Sequence, residues 1–131
     1  MKGYTINIEE RAIANEYFRE VLYTDNNLQL VVMSLLPQED IGEETHTLDQ
    51  FIRVEQGEGK AVLDGVEHAI SDGFAIVVPR GTRHNVINTS TTDTMKLYTI
   101  YAPPDHKDGL IHKTKAEALA NDLPFDGVTS E

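Results

Sequence analysis

Short strand-length segments separated by turn residues occupy most of this chain between positions 17 and 101. Each segment is rich in β-branched, aromatic or other apolar residues, and pairs such as Asp64-Gly65 mark the turns between them. Short strands with a turn about every ten residues are typical of an all-β sandwich or barrel. The predicted strands are residues 17–24, 28–36, 51–55, 60–63, 66–70, 74–78, 84–88 and 95–101.

Two of these segments carry further information about burial and pairing. Residues 28–36 (LQLVVMSLL) form a continuous apolar run of strand length, which predicts a strand that is largely buried. The turn residues Asp25-Asn26-Asn27 before it indicate a hairpin with residues 17–24, and Pro37 ends the run because proline lacks the backbone donor. Asp64-Gly65, between two short strands, is the strongest hairpin signal in the chain.

The two ends of the sequence predict short helices. Residues 9–14 (EERAIA) favour a helix at the entry to the strands. Residues 114–121 favour a second, with Thr114 as N-cap, Glu117 at the capping-box position and Pro124 beyond the end. At 131 residues, we expect one domain, 1–131, with a barrel core at about residues 17–103 and a C-terminal extension at 104–131.

Composition excludes several classes of partner. The formal net charge of −11, from 22 acidic residues against 11 lysines and arginines, repels phosphate backbones and anionic membranes. We therefore expect no nucleic-acid and no membrane partner, and no apolar run approaches the ~20 residues of a membrane span. The absence of cysteine excludes disulfides and thiolate metal sites, and it fits a cytoplasmic location.

Four residues have the chemistry of a metal site. In an extended segment the side chains of Glu44 and His46 share one face, and Gln50 starts the next strand. His84 follows the Pro79-Arg80-Gly81 turn on a later strand. Two imidazoles and a carboxylate, with an amide oxygen as a fourth donor, are a known ligand set for divalent metals. The same pattern alone is more often a solvated strand face and a structural histidine.

A longer motif decides between these alternatives. The segment GFAIVVPRGTRHNVIN fits the pattern Gly73-x5-Pro79-x-Gly81-x2-His84-x3-Asn88 at all five fixed positions. This pattern is the second signature motif of the cupin family, which the chain resembles over roughly residues 28–103.

The first cupin motif, Gly-x5-His-x-His-x3or4-Glu-x6-Gly, is matched less closely. Anchored on Gly57, it places Glu44 at the first histidine, His46 at the second and Gln50 at the glutamate. Gln38 stands at the leading glycine, so only His46 and Gly57 match by letter. Glutamate and glutamine still offer oxygen donors, although the neutral Gln50 removes one negative charge.

The resemblance implies a double-stranded β-helix, the cupin or jelly-roll barrel, with the two short helices added. The chain is similar to small single-domain cupins, including a group labelled mannose-6-phosphate-isomerase-like. The resemblance implies one divalent metal ion (Fe, Mn, Ni or Zn) held by Glu44, His46, Gln50 and His84. A metal-dependent isomerase or dioxygenase acting on a small oxygenated molecule is expected, with Tyr98 handling protons. The alternatives are a non-catalytic small-ligand or sugar-binding module with a structural metal, and a metal-free barrel that serves as an assembly surface.

A homodimer is the expected assembly. Small open β-sandwiches have sheet edges that need covering, and a second copy of the chain covers them symmetrically.

Overall fold

The computed structural model describes residues 1–131 and contains nine strands and two helices. The elements, in chain order, are α1 (Ile8–Ala14), β1 (Arg19–Thr24), β2 (Gln29–Leu35), β3 (Asp49–Gln56), β4 (Glu58–Leu63), β5 (Val66–Ser71), β6 (Ala75–Val78), β7 (His84–Asn88), β8 (Met95–Ala102), β9 (Ile111–His112) and α2 (Lys115–Ala120). The predicted all-β class with a short helix at each end is confirmed, and the eight predicted strands are each present to within about two residues.

Two antiparallel sheets face each other across the core. The larger sheet has the order β6-β3-β8-β2-β1-β9, and the smaller has the order β5-β4-β7. Neighbours in the sheets come from distant parts of the chain, as where β8 lies between β2 and β3. This arrangement is the predicted double-stranded β-helix.

The core lies between the sheets and consists of alternate residues from the central strands. It contains 17 buried hydrophobic residues, among them Met33, Ile52, Leu97 and Val86. Each such side chain contributes roughly 1.5–3 kcal/mol when removed from water. The apolar run of β2 is buried at five consecutive positions, from Val31 to Leu35, as its sequence predicts.

Local turn chemistry explains the two predicted hairpins. The Asp25 carboxylate accepts hydrogen bonds from the backbone amides of Asn27 and Leu28, at 2.6 and 2.7 Å, and so closes the turn between β1 and β2. Asp64 and Gly65 both adopt positive φ angles, 47° and 83°. Positive φ at both central residues is the geometry of the tight turn that best matches strand twist.

The C-terminal extension returns to the barrel. Residues Ile111–His112 form β9 on the outer edge of β1, with His112 paired with Arg19. The two-residue strand has no pattern of its own in the sequence, and we did not predict it. Thr114 then caps α2 by accepting a hydrogen bond from the Glu117 amide at 3.2 Å, as predicted.

Neither helix is long and apolar enough to cross a membrane.

Asn88, the last residue of the second motif, ties three parts of the fold together. Its buried amide group donates to the carbonyls of Leu35, Leu36 and Asp93, and its oxygen accepts from the Ser90 amide. We expect Asn88→Ala to lower the free energy of unfolding by about 1–3 kcal/mol, because it leaves buried carbonyls unpaired. Urea unfolding checks this, with Asn26→Ala, in an exposed turn, as the control expected to change little. Equal stability of the two variants would contradict the assignment.

Candidate metal centre

Glu44 and His84 are brought together by their backbones. They form an isolated antiparallel bridge, in which each residue's amide donates to the other's carbonyl at 2.9 Å. The turn after β6 fixes the same segment, since the Gly81 amide donates to the His46 carbonyl at 2.9 Å. Gly81 has a φ of 83°, which explains why the second motif needs a glycine there. Two segments 40 residues apart in the chain are thus locked side by side.

Glu44, His46 and His84 form one cluster. One ligand atom from each residue lies within 4.8 Å of the others, and the two imidazole ring centroids are 5.1 Å apart. His46 Nε2 is buried and lies 2.7 Å from Glu44 Oε2, yet it makes no hydrogen bond of acceptable angle. The contact is an ion pair when the His46 ring is protonated, and the same two atoms are able to bind a cation when it is not.

The ring orientation of His84 leaves one nitrogen free to bind a metal. His84 Nδ1 lies 2.8 Å from the Thr82 carbonyl oxygen. Because a carbonyl oxygen only accepts, Nδ1 carries the proton, and Nε2 of the neutral ring is unprotonated. A backbone carbonyl that fixes the histidine tautomer is the usual outer partner of a metal-binding histidine.

Gln50 has a buried oxygen with no partner. The side-chain NH2 donates to Thr99 Oγ1 at 3.0 Å, and Oε1 is buried without a hydrogen bond. Gln50 is paired across the sheet with Tyr101, whose ring packs edge-on against His46 at 6.1 Å between centroids. An unpaired buried amide oxygen costs free energy unless a ligand is present. The unpaired Oε1 atom therefore fits a role of Gln50 as a neutral metal ligand, and that role stays a prediction.

The charges around the cluster favour the ionised form of the Glu44 carboxyl group. Burial opposes ionisation of Glu44, but His46, Arg19 and His84 outweigh it and hold the pKa of the carboxyl below its ordinary value. The Glu44 carboxylate in turn raises the pKa of His46 against the effect of burial. A site that attracts a proton in this way also attracts a divalent cation, which competes with the proton for the same atoms.

The donor set fits a divalent transition metal. Two imidazoles and one carboxylate suit iron, manganese, nickel or zinc, and no thiolate is available.

Tyr98 lies away from this cluster. On β8 the odd-numbered residues face the core, and Tyr98 lies on the other face, where its ring is 6.3 Å from that of Phe51. It is not among the residues that line the adjacent cavity. Tyr101 has the inward parity and is fully buried, and burial raises its pKa. The structure gives no support to a catalytic role for Tyr98.

A cavity of about 470 Å³ lies beside the metal cluster, between the barrel and α2. Glu44 and His46 line it on the barrel side. Its other charged or titratable lining residues are Arg19, Asp105, His106, Lys115 and Asp122. We did not predict these five as site residues, because the C-terminal extension brings four of them to the barrel. The only signal was the ordered loop 103–109, rich in proline and charge, that leads to His112.

His106 is buried in the neutral form, which makes stability depend on pH. Burial, with Arg19 and His112 nearby, lowers its pKa to about 2. Between about pH 6.5 and 2 the unfolded chain binds a proton at His106 that the folded chain does not. The folded state therefore loses stability as the pH falls, by up to about 1.4 kcal/mol per pH unit from this residue.

His106→Gln should reduce that slope. Urea unfolding of both proteins at pH 7, 6 and 5 measures it, and equal slopes would contradict a buried neutral His106.

The family follows from comparison with known proteins. A family model described as the cupin domain matches residues 31–101, and the chain therefore belongs to the cupin family. The protein YrkC of Bacillus subtilis (strain 168) is 45% identical over 126 residues, which cover 91% of this chain and 67% of YrkC. These matches identify the family and do not distinguish the mannose-6-phosphate-isomerase-like group within it.

Solved structures agree with the fold. The crystal structure of BH2720 from Bacillus halodurans has a TM-score of 0.89 at 42% identity, covering 92% of this chain and 96% of that chain. An RmlC-like cupin from Shewanella frigidimarina has a TM-score of 0.60 at 21% identity, covering 65% of this chain and 74% of that chain. The second likeness concerns the fold alone.

Proposed function

We propose that this cupin is a metal-dependent enzyme that acts on a small oxygenated organic molecule. One observation carries the proposal: Glu44 and His46 belong both to the metal cluster and to the wall of a cavity large enough for a small ligand. In a six-coordinate ion such as Fe(II) or Mn(II), four protein donors would leave two coordination positions open for a substrate.

Glu44, His46, Gln50 and His84 would hold one ion of iron, manganese, nickel or zinc. Such an ion supplies polarisation of a substrate oxygen, as in isomerases, or redox chemistry with dioxygen, as in dioxygenases. The contribution of the chain itself is orientation. The Thr82 carbonyl fixes the His84 ring, and Thr99 fixes the Gln50 amide.

Asp105 takes the place of Tyr98 as the residue that handles protons. It lines the cavity, and burial raises the pKa of its carboxyl above the ordinary value, although His46 and Arg19 oppose the rise. A carboxyl group with a raised pKa holds and releases a proton closer to neutral pH, as a general acid or base must.

The number of donors favours a second candidate function, because four protein ligands would close the coordination of a four-coordinate ion such as zinc. In that case the barrel is a non-catalytic module that binds a small ligand, such as a sugar, with the metal orienting it. Turnover by the metal-loaded protein distinguishes the enzyme from the module.

The test begins with metal analysis of protein purified without chelator. We expect a first-row metal in the purified protein, or a rise in melting temperature when Fe(II), Mn(II), Ni(II) or Zn(II) is added. A metal at 100 times its Kd adds about 2.7 kcal/mol of stability. Oxygen-consumption and isomerase screens then follow on the loaded protein. Absence of bound metal together with no thermal shift from any of the four ions would overturn the proposal.

A homodimer and a cytoplasmic location complete the proposal. Strand β6 lies at an edge of the larger sheet, and Val77 on that strand and Phe74 just before it are exposed. Apolar side chains at a sheet edge support self-association, because a second copy covers both the edge and the side chains. Light scattering that finds a monomer at micromolar concentration would contradict the dimer.

A further inference from the structure

Arg19 is a buried cation without an acidic partner. It is 6% exposed, lines the cavity beside the metal cluster and takes part in none of the protein's ion pairs. Its Nε is buried and has no hydrogen-bond partner. Buried arginines are normally paired, because removing an unpaired charge from water is costly. The side chain is therefore in a state that an anionic ligand would stabilise.

The guanidinium is held in place by the C-terminal extension. Arg19 Nη1 lies 3.3 Å from His112 Nδ1, and His112 Nε2 lies 2.8 Å from the Asn121 carbonyl oxygen. Because the carbonyl oxygen accepts, His112 Nε2 carries the proton and Nδ1 accepts from the arginine. The guanidinium carbon also lies 5.3 Å from the centre of the Phe18 ring. These contacts orient the arginine, and none of them is with an acidic group.

The other basic residue of the cavity is already paired. Lys115 forms an ion pair with Asp40, so Arg19 is the free cation of the cavity wall. Near it lies His106, whose Nε2 is buried without a hydrogen-bond partner. The nearest acidic atom to that nitrogen is Asp105 Oδ2, at 3.4 Å, which makes no hydrogen bond to it. The guanidinium and this imidazole nitrogen are therefore two groups of one cavity that a polar ligand can satisfy together.

We propose that Arg19 binds a carboxylate group of the small molecule that enters this cavity. The inference rests on the proposed function in one respect, since Glu44 and His46 line the same cavity and would place the metal at another part of the same ligand. The substrate class is then a small organic acid that also carries hydroxyl or carbonyl oxygens. The guanidinium fork matches the two oxygens of a carboxylate.

Charge in the cavity favours a carboxylate over a phosphate. Glu44, Asp105 and Asp122 also line the wall, so negative groups outnumber the one arginine that has no ion pair. A monoanion that binds Arg19 meets less repulsion from these carboxylates than a phosphate dianion does.

The experiment uses matched acids and amides on the whole protein. The probes are glycolate and gluconate, each beside its neutral amide, and inorganic phosphate. Isothermal titration gives affinities, and the Nε–H resonance of Arg19 in ¹⁵N-labelled protein reports contact at that residue. Both metal-free and metal-loaded protein are titrated, and metal binding is measured separately. The variants are Arg19→Gln and, as the matched control, Arg53→Gln, which removes the same charge from a residue outside the cavity.

We expect at least one acid, and neither amide, to shift the Arg19 resonance. Affinity for that acid should fall about tenfold or more in Arg19→Gln, because a charge-assisted bidentate pair is lost. Arg53→Gln should bind as the wild type does, and both variants should still bind the metal.

Three results would overturn the inference while leaving the metal proposal intact. They are equal binding of acid and amide, an unchanged acid affinity in Arg19→Gln, and tighter binding of phosphate than of either acid. Conversely, acid binding through Arg19 in a protein that binds no metal would support the inference and refute the proposed function.

Discussion

His84→Ala is expected to abolish metal binding by this protein. The imidazole is one of two in the cluster, and its free Nε2 is fixed by the bond between Nδ1 and the Thr82 carbonyl. Loss of a residue that only supports a ligand already weakens metal sites by about 10- to 100-fold. Loss of the ligand itself should therefore lower affinity by more than about 100-fold. The metal-free variant should lose little stability, since the backbone bridge between residues 44 and 84 does not depend on the side chain.

Titration calorimetry and thermal unfolding, each with and without metal, measure the two effects separately. His68→Ala is the matched control, because His68 is an exposed histidine on β5. It should bind metal as the wild type does and keep the same thermal shift. If His84→Ala retained metal with near wild-type affinity, His84 would not be a ligand, and the cluster would not be the metal site.

The second motif made the fold predictable, together with one residue of the cluster, His84. Its glycines and proline are turn residues with a local physical reason, such as the positive φ at Gly73 and Gly81. Those turns fix where β7 begins, and His84 is its first residue. Alternation along the extended segment then put Glu44 and His46 on one face. Local chemistry and strand parity were enough for these placements, whereas the approach of Glu44 and His46 to His84, about 40 residues away, was implied by the resemblance to the cupin motifs.

The backbone keeps the geometry of the first motif at positions where the residue type differs. Gln38, which replaces the leading glycine, adopts a φ of 64°, a conformation that glycine reaches without strain. Glu44 is held next to His84 by backbone bonds that any residue could make. The backbone conformation of the motif is thus kept where the residue type differs, which is why Glu44 still lies in the cluster with His46 and His84.

The anion-binding side of the cavity was not predictable from the sequence. Arg19 comes before the family motifs, and its neighbours Asp105, His106 and His112 come after them. They meet only because β9 pairs with the outer edge of β1, where His112 lies opposite Arg19. A two-residue strand has too little pattern to be recognised, and pairing across 93 residues leaves no trace in local sequence. Tyr98 and Tyr101 have opposite parity on β8, so at most one of them faces inward, and the sequence does not show which.

Gln50→Glu is expected to change the metal-free and metal-loaded proteins in opposite directions. In the metal-free protein the new carboxylate would be buried at a position that is 4% exposed, and it could no longer donate to Thr99. An unpaired buried polar group costs about 1–3 kcal/mol, so the melting temperature should fall. In the loaded protein the added negative charge faces a cation, so the affinity for the metal should rise by about tenfold or more. A tenfold change in affinity requires only about 1.4 kcal/mol.

Gln29→Glu separates these effects from the general cost of burying a carboxylate. Gln29 is fully buried but has every polar atom satisfied, with its NH2 donating to Thr24 and the His106 carbonyl and its oxygen accepting from the amides of residues 105 and 106. Its replacement should destabilise the protein with no gain in metal affinity. If Gln50→Glu behaved like Gln29→Glu, with unchanged or weaker metal binding, then the unpaired oxygen of Gln50 would not face the ion. The site would then be limited to the three ligands Glu44, His46 and His84, and the metal would have one more coordination position open to substrate.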